Sequence, residues 1–230
     1  MVDDGISAII ARSPQQVGQR VLILGTMALR ASLEATDSSR CEEQCRWLLP
    51  WLSEVGCDLE LTPVEKTILG SPWRQVSDSE RVDLNWASES AWFLAATLGW
   101  NPLPSWLERV TPFNAYTHFH LLKETAIERA ASARFVDARN SARVARVTLS
   151  IRSFLQQERV SETLRTQLAE INRQLLAKSG IEVSSDEDQE ARTIVRSMTS
   201  QQLATCAGVY FCRYAASLWR LQKQKRWLEQ

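Results

Sequence analysis

Residues 77–100 read SDSERVDLNWASESAWFLAATLGW, and the reading of this stretch decides the fold class. Ser77 and Glu80 stand three apart ahead of the first apolar residue. The Ser hydroxyl can accept an orphan backbone N–H while the Glu carboxylate reaches back to the cap, a capping box that marks a helix start. Val82, Trp86, Glu89, Phe93, Ala96 and Trp100 then follow alternating four- and three-residue steps. Trp92, Leu94, Ala95 and Leu98 make the second half apolar nearly all round. A helix without a polar side belongs at the centre of a protein. Gly99 tolerates a left-handed cap and Pro102 cannot continue a helix, so the element ends there. The expectation is a central hydrophobic helix near 77–99.

The same punctuation recurs upstream. Ser13-Pro14-Gln15-Gln16 sets a capping Ser before a Pro at the first helical position, with Gln at the third. Val17, Val21, Leu24, Ala28 and Ala31 then form one stripe, which predicts an amphipathic helix to about Ala35. Ser39 with Glu42 forms a second box. Cys41, Cys45, Leu48, Leu49, Leu52 and Val55 carry that helix to Gly56, with a kink at Pro50. Thr62-Pro63-Val64-Glu65 opens a short helix that stops at Gly70.

All seven Pro lie at or before Pro112, and the last 118 residues hold only two Gly, Gly180 and Gly208. The chain therefore divides into a loop-punctuated part, 1–112, and a part of long helices, 113–230. The second part is predicted to be helical over roughly 115–132, 134–157, 160–179 and 187–228, with Gly180–Asp188 an acidic loop. Leu203, Ala207, Tyr210, Tyr214, Leu218 and Leu221 keep one face of the last stretch apolar. Gln222–Gln230 is a charged tail whose Trp227 is expected to fold back. Val147–Ile151 alternates with period two and offers a strand as the rival reading, but a lone strand lacks a partner. The fold class expected is all-α, one helical domain or two packed halves.

Composition bounds the function. The chain has 230 residues, is 44% hydrophobic and carries nine Trp, enough for a large core. With 27 basic and 27 acidic residues, no global field draws it to nucleic acid or an anionic membrane. The longest apolar run near the N-terminus, Val21–Leu29, is flanked by Arg20 and Arg30, so neither a secretory signal nor a membrane span is expected. Five Cys without a dense framework fit free thiols in a reducing, cytoplasmic setting.

The residues able to carry chemistry are scattered. His118 and His120 point about 200° apart on a helix. Cys41 and Cys45 share a helix face, but with Cys57 or the histidines they have no zinc-site spacing, and buried free Cys is the commoner role. No metal or cofactor is expected. Glu89 lies within the Trp-bearing ladder beside Trp86 and Trp92. Drawn out of water, it would be a structural ion-pair partner or, less simply, a carboxyl of raised pKa. Between Arg129 and Arg152 there are six Arg against one acid, and Arg139, Arg143 and Arg146 share a helix face with Arg134 nearby. Residues 34–80 hold ten acids and four bases, so the two regions could dock on each other, or the Arg face could be solvated. The interleaved aromatics that stack bases are absent apart from Phe135.

The pattern Leu61-Thr62-Pro63-Val64-Glu65, then Trp86 with Glu89, then Leu98-Gly99-Trp100 and Pro102-Leu103-Pro104, resembles the bacterial domain of unknown function numbered 4272. Val209–Leu221, VYFCRYAASLWRL, is similar to that family's closing helix, with Arg213 and Trp219 at matching places. The resemblance implies a bacterial, cytosolic protein and brings no activity with it. The functional expectation is a non-catalytic protein-interaction factor, an adaptor or immunity-type protein, that uses a charged helix face or exposed Trp. The alternatives are a nucleic-acid binder using the Arg face at 129–152 and a small hydrolase centred on Glu89.

Overall fold

In the N-terminal part the chain supplies its own helix caps, and the computed structural model shows which of them form. It describes residues 12–102, 109–135, 147, 184–196 and 216. Among these there are seven helices and no strand: α1 (Pro14–Glu34), α2 (Ser39–Glu54), α3 (Pro63–Gly70), α4 (Asp78–Thr97), α5 (Pro112–His118), α6 (Glu124–Ala131) and α7 (Ser185–Arg196). The described residues fall into two compact units. Residues 13–102 and 109–135 carry α1 to α6, and the second unit includes α7, Val147 and Ala216. Val147 is helical; the rest of Val147–Ile151 lies outside the described residues.

Boxes form at Ser13/Gln16, Thr62/Glu65 and Ser77/Glu80 as the sequence predicts. The box at Ser39/Glu42 does not form. Ser38, in extended backbone, is the cap and accepts from Arg40 N, which leaves Glu42 free to pair with Arg46 one turn later. A box at Ser184/Glu187 takes its place in the count. Ser184 Oγ accepts from Glu187 N and Glu187 Oε2 from Ser184 N, so a helix starts inside the stretch expected to be a loop. Such caps stabilise a helix by about 1 kcal/mol each.

Two helices stop by the same device. At the end of α4, Gly99 (φ +69°) sends its N–H to Ala96 O and Trp100 sends its own to Ala95 O. At the end of α2, Gly56 (φ +75°) bonds Ser53 O and Cys57 bonds Leu52 O. In both, a left-handed Gly turns the chain so that the last carbonyls are satisfied.

Helix α1 is the element the others of its unit share, packing against α2, α3, α4, α5 and α6. Val17, Val21, Leu22, Ile23 and Ala28 are wholly buried, and so are Thr26 and Arg30. It is thus buried nearly all round and not merely amphipathic: Arg30 and Glu34 pair with each other inside the unit, while Thr26 Oγ1 is buried without a hydrogen-bond partner. Helix α4 supplies Leu84, Ala91, Phe93, Leu94 and Ala95 to the core, with its second half buried on several sides. Val82, the first rung of its predicted ladder, is exposed. The helix expected over 115–132 is broken between α5 and α6, where His120 and Leu122 take positive φ. The break carries Phe119 and Leu121, both wholly buried, against α1 at Gly25, whose missing side chain leaves them room.

Two box residues hold more than their own helices. Glu65 Oε2 accepts from Thr62 N and from Arg20 Nη1 of α1 (2.9 Å), tying the start of α3 to α1. Gln16 bonds Ser13 N through its oxygen and Glu60 Oε1 through its nitrogen.

Candidate functional site

Helix α2 turns one face inward and leaves two recesses beside the other. Cys41, Cys45, Leu48 and Leu52 form its buried stripe. Off that stripe lie Arg40, Glu43, Gln44, Trp47, Trp51 and Glu54, which with Leu122 line an open recess of about 320 Å³. Trp47 is 58% exposed, the most open of the described tryptophans, while Trp51 one turn on is closed. Glu43 and Glu54 are exposed carboxylates, and among the described residues neither has an ion-pair partner. The neighbouring acids are engaged: Glu42 by Arg46, Asp37 by Arg74, Glu65 by Arg20 and Glu34 by Arg30.

A second cavity, of about 480 Å³, opens on the other flank of α2. Its wall includes Cys45, Leu49 and Pro50 from α2 and Leu69, Ser71 and Trp73 from the end of α3 and the loop beyond. A buried clasp holds that loop. Arg30 Nη2 donates to Pro72 O (2.8 Å) and Ser71 Oγ, and Arg30 pairs with Glu34. Glu34 in turn accepts from Arg74 N (2.6 Å), and Trp73 Nε1 donates to Leu33 O. Burial raises the Cys45 thiol from 9.0 to about 11, with Glu34, Cys41 and Glu42 adding and Arg30 opposing. The Cys57 thiol goes to about 12 for the same first reason, followed by Asp58 and Glu60. Protonated thiols of this kind are poor nucleophiles at neutral pH.

Glu89 is wholly buried, and its carboxylate accepts from Val110 N. Ser88 beside it donates to Val110 O (2.8 Å), so the two residues fasten the chain just ahead of α5 onto α4. Glu89 lines neither recess. Trp86 is half-buried with the Arg109 guanidinium 4.3 Å from its ring centre. Trp92 packs against His118 (4.7 Å between ring centres) and Phe119 (5.6 Å). The ladder thus brings Glu89 into the core, while Trp86 and Trp92 are both half-buried.

The histidines part as expected. His118 Nε2 meets Trp100 O (3.0 Å), and His120 Nδ1 meets Thr125 Oγ1 (3.1 Å). Arg129, the first of the basic stripe, turns inward: it donates to Trp100 O and His118 O and lies over the Trp100 ring at 4.7 Å. Burial lowers the pKa of its guanidinium. Arg134 is exposed. Arg139, Arg143, Arg146 and Arg213 lie outside the described residues. Among the described residues no three His, Cys, Asp or Glu side chains gather as a metal site would need, and no helix is long and apolar enough to cross a membrane.

Sequence reasoning passed over Trp47, Trp51, Glu43 and Glu54. A signal was available, since the inward stripe of α2 excludes Trp47, and a large indole off the buried face marks a surface feature.

A sequence profile for one family matches residues 4–175. The pieces at Leu61–Glu65, Trp86–Glu89 and Leu98–Pro104 fall within it, and Val209–Leu221 with Arg213 falls beyond it. No curated protein and no solved structure matches the chain. Since the match covers well over half of the 230 residues, the chain belongs to the family described as domain of unknown function (DUF4272).

Proposed function

We propose that this chain is a non-catalytic protein-interaction factor of the bacterial cytoplasm, of the adaptor or immunity type, which seats a partner protein on the outer face of α2. The observation that carries the reading is Trp47: a large indole, 58% exposed, standing over a recess floored by a closed Trp51. Interfaces concentrate binding energy in such aromatic anchors, because an indole brings much apolar area with only two rotatable bonds. An exposed Trp contributes little to folding, so its presence on a helix with a well-formed inner stripe is better explained by what it touches outside the chain.

The test is a photo-crosslinking amino acid placed at Gln44, inside the recess, and at Glu128 on α6 as a control. In native extract, the Gln44 position is expected to trap one discrete protein, and Trp47→Ala to abolish the adduct while leaving the unfolding midpoint nearly unchanged. Absence of an adduct, or an adduct indifferent to Trp47→Ala, overturns the proposal.

A further inference from the structure

Three of the half-buried indoles carry a guanidinium on the ring, and a fourth, Trp92, packs on His118 and Phe119. Trp73 has the Arg74 guanidinium 4.4 Å from its ring centre, Trp86 has Arg109 at 4.3 Å, and Trp100 has Arg129 at 4.7 Å. Each is within the range where a cation is held by the negative face of the ring. Trp47 has no such cover: it is the most exposed of the described tryptophans, and among the described residues no arginine lies over it. Beside it stand Glu43 one turn before and Glu54 two turns after, both exposed and both without a cation partner among the described residues. Arg40, in the same recess, forms no ion pair with Glu43.

Resting on the protein-binding reading above, we infer that the recess on α2 receives an arginine side chain from the partner. A planar guanidinium fits the need on both counts. It stacks on an indole and it donates in a fixed fork to a carboxylate, whereas a neutral side chain would leave Glu43 and Glu54 uncompensated at the interface. A recess of about 320 Å³ has room for a side chain and not for a folded element, so the partner presents a basic protrusion to it. The acidic balance of residues 34–80, ten acids to four bases, draws such a segment toward this face from a distance.

A tetra-arginine peptide and its tetra-citrulline counterpart, equal in shape but uncharged, are the probes, read by NMR through the indole N–H of Trp47, which is assigned by its loss in Trp47→Phe. The arginine peptide is expected to shift that resonance and leave those of Trp73, Trp86 and Trp100 in place. Affinity should fall about tenfold in the Glu43→Gln/Glu54→Gln double variant, and the citrulline peptide should not bind. Equal binding by citrulline, or affinity unchanged by the double variant, overturns the inference. The Gln44 crosslink separates this failure from that of the parent reading. An adduct that needs Trp47 but survives Glu43→Gln/Glu54→Gln undiminished leaves the protein-binding reading standing and removes the arginine.

Discussion

Arg30 donates through Nε to Glu34 Oε1 across 2.8 Å, one turn along α1, and both side chains are closed to solvent. The pair is tied to the loop by further bonds: Arg30 Nη2 donates to Pro72 O and Ser71 Oγ, and Glu34 Oε2 accepts from Arg74 N, while Arg30 Nη1 is buried without a hydrogen bond. Arg74 itself holds a left-handed backbone (φ 67°), uncommon for a side-chain-bearing residue and held here by that bond. The pair therefore folds the 71–74 loop as well as bridging a helix turn.

From this follows an asymmetry between single and double replacements. Glu34→Ala strands a buried guanidinium and is expected to cost about 3–5 kcal/mol. Arg30→Met with Glu34→Leu removes both charges together and should cost clearly less than the sum of the two single changes. Urea midpoints for the four proteins of the cycle measure the difference. Additive costs would mean that the two residues are held independently.

The cap of α2 can be tested at adjacent serines. Ser38 accepts from Arg40 N and Ser39 is the first helical residue, so Ser38→Ala is expected to cost about 1 kcal/mol and Ser39→Ala a few tenths at most. Thermal unfolding of both variants decides it. The reverse order would restore the box with Glu42 that the sequence suggests.

That box shows where sequence reading stopped. Three of the four N-terminal caps and the Gly99 stop were legible, because a cap is written within four residues and needs no tertiary information. The burial of α1 was not. Arg30 and Glu34 look like a polar face until a loop forty residues away supplies Pro72 O and Arg74 N. The break after His118 was hidden for the same reason: residues 119–123 contain neither Pro nor Gly, and the turn is imposed by the packing of Phe119 and Leu121 against Gly25. The burial of Glu89 was legible from its helical register, although it lines neither recess, while Trp47 lies off the inward stripe of α2 that the apolar pattern marks.

The thiols predict a pH dependence. Cys45 and Cys57 hold their protons more tightly folded, to about 11 and about 12, than at the ordinary 9.0 of an unfolded chain. The folded state therefore binds more protons above pH 9, so the stability these groups contribute is complete below about pH 9 and is lost as pH rises through 11 and 12. Unfolding midpoints measured from pH 8 to pH 11 should fall more steeply for the native chain than for Cys57→Ala, whatever the variant's starting stability. Parallel slopes would show that Cys57 already titrates normally when folded. A thiol reagent at pH 8 should likewise label Cys45 and Cys57 only after denaturant is added.

Two glycines of α1 separate backbone from side-chain crowding. A Cβ at Gly18 would meet the backbone of Ala130 in α6 at 3.3 Å, and one at Gly25 would meet Leu121 Cδ1 at 3.2 Å. Alanine at either position gains up to about 1 kcal/mol of helix propensity. At Gly25 the obstacle is the end of a Leu side chain, which can change rotamer, so Gly25→Ala should come out near neutral. At Gly18 the obstacle is a helix backbone, which moves only if α6 moves with it, so Gly18→Ala should be destabilising by about 1–2 kcal/mol. Amide exchange in α6 is the readout that tells the two apart. Faster exchange at Ala126–Ala130 is expected for Gly18→Ala and not for Gly25→Ala, and equal protection in both variants would show that α6 approaches α1 less closely than 3.3 Å implies.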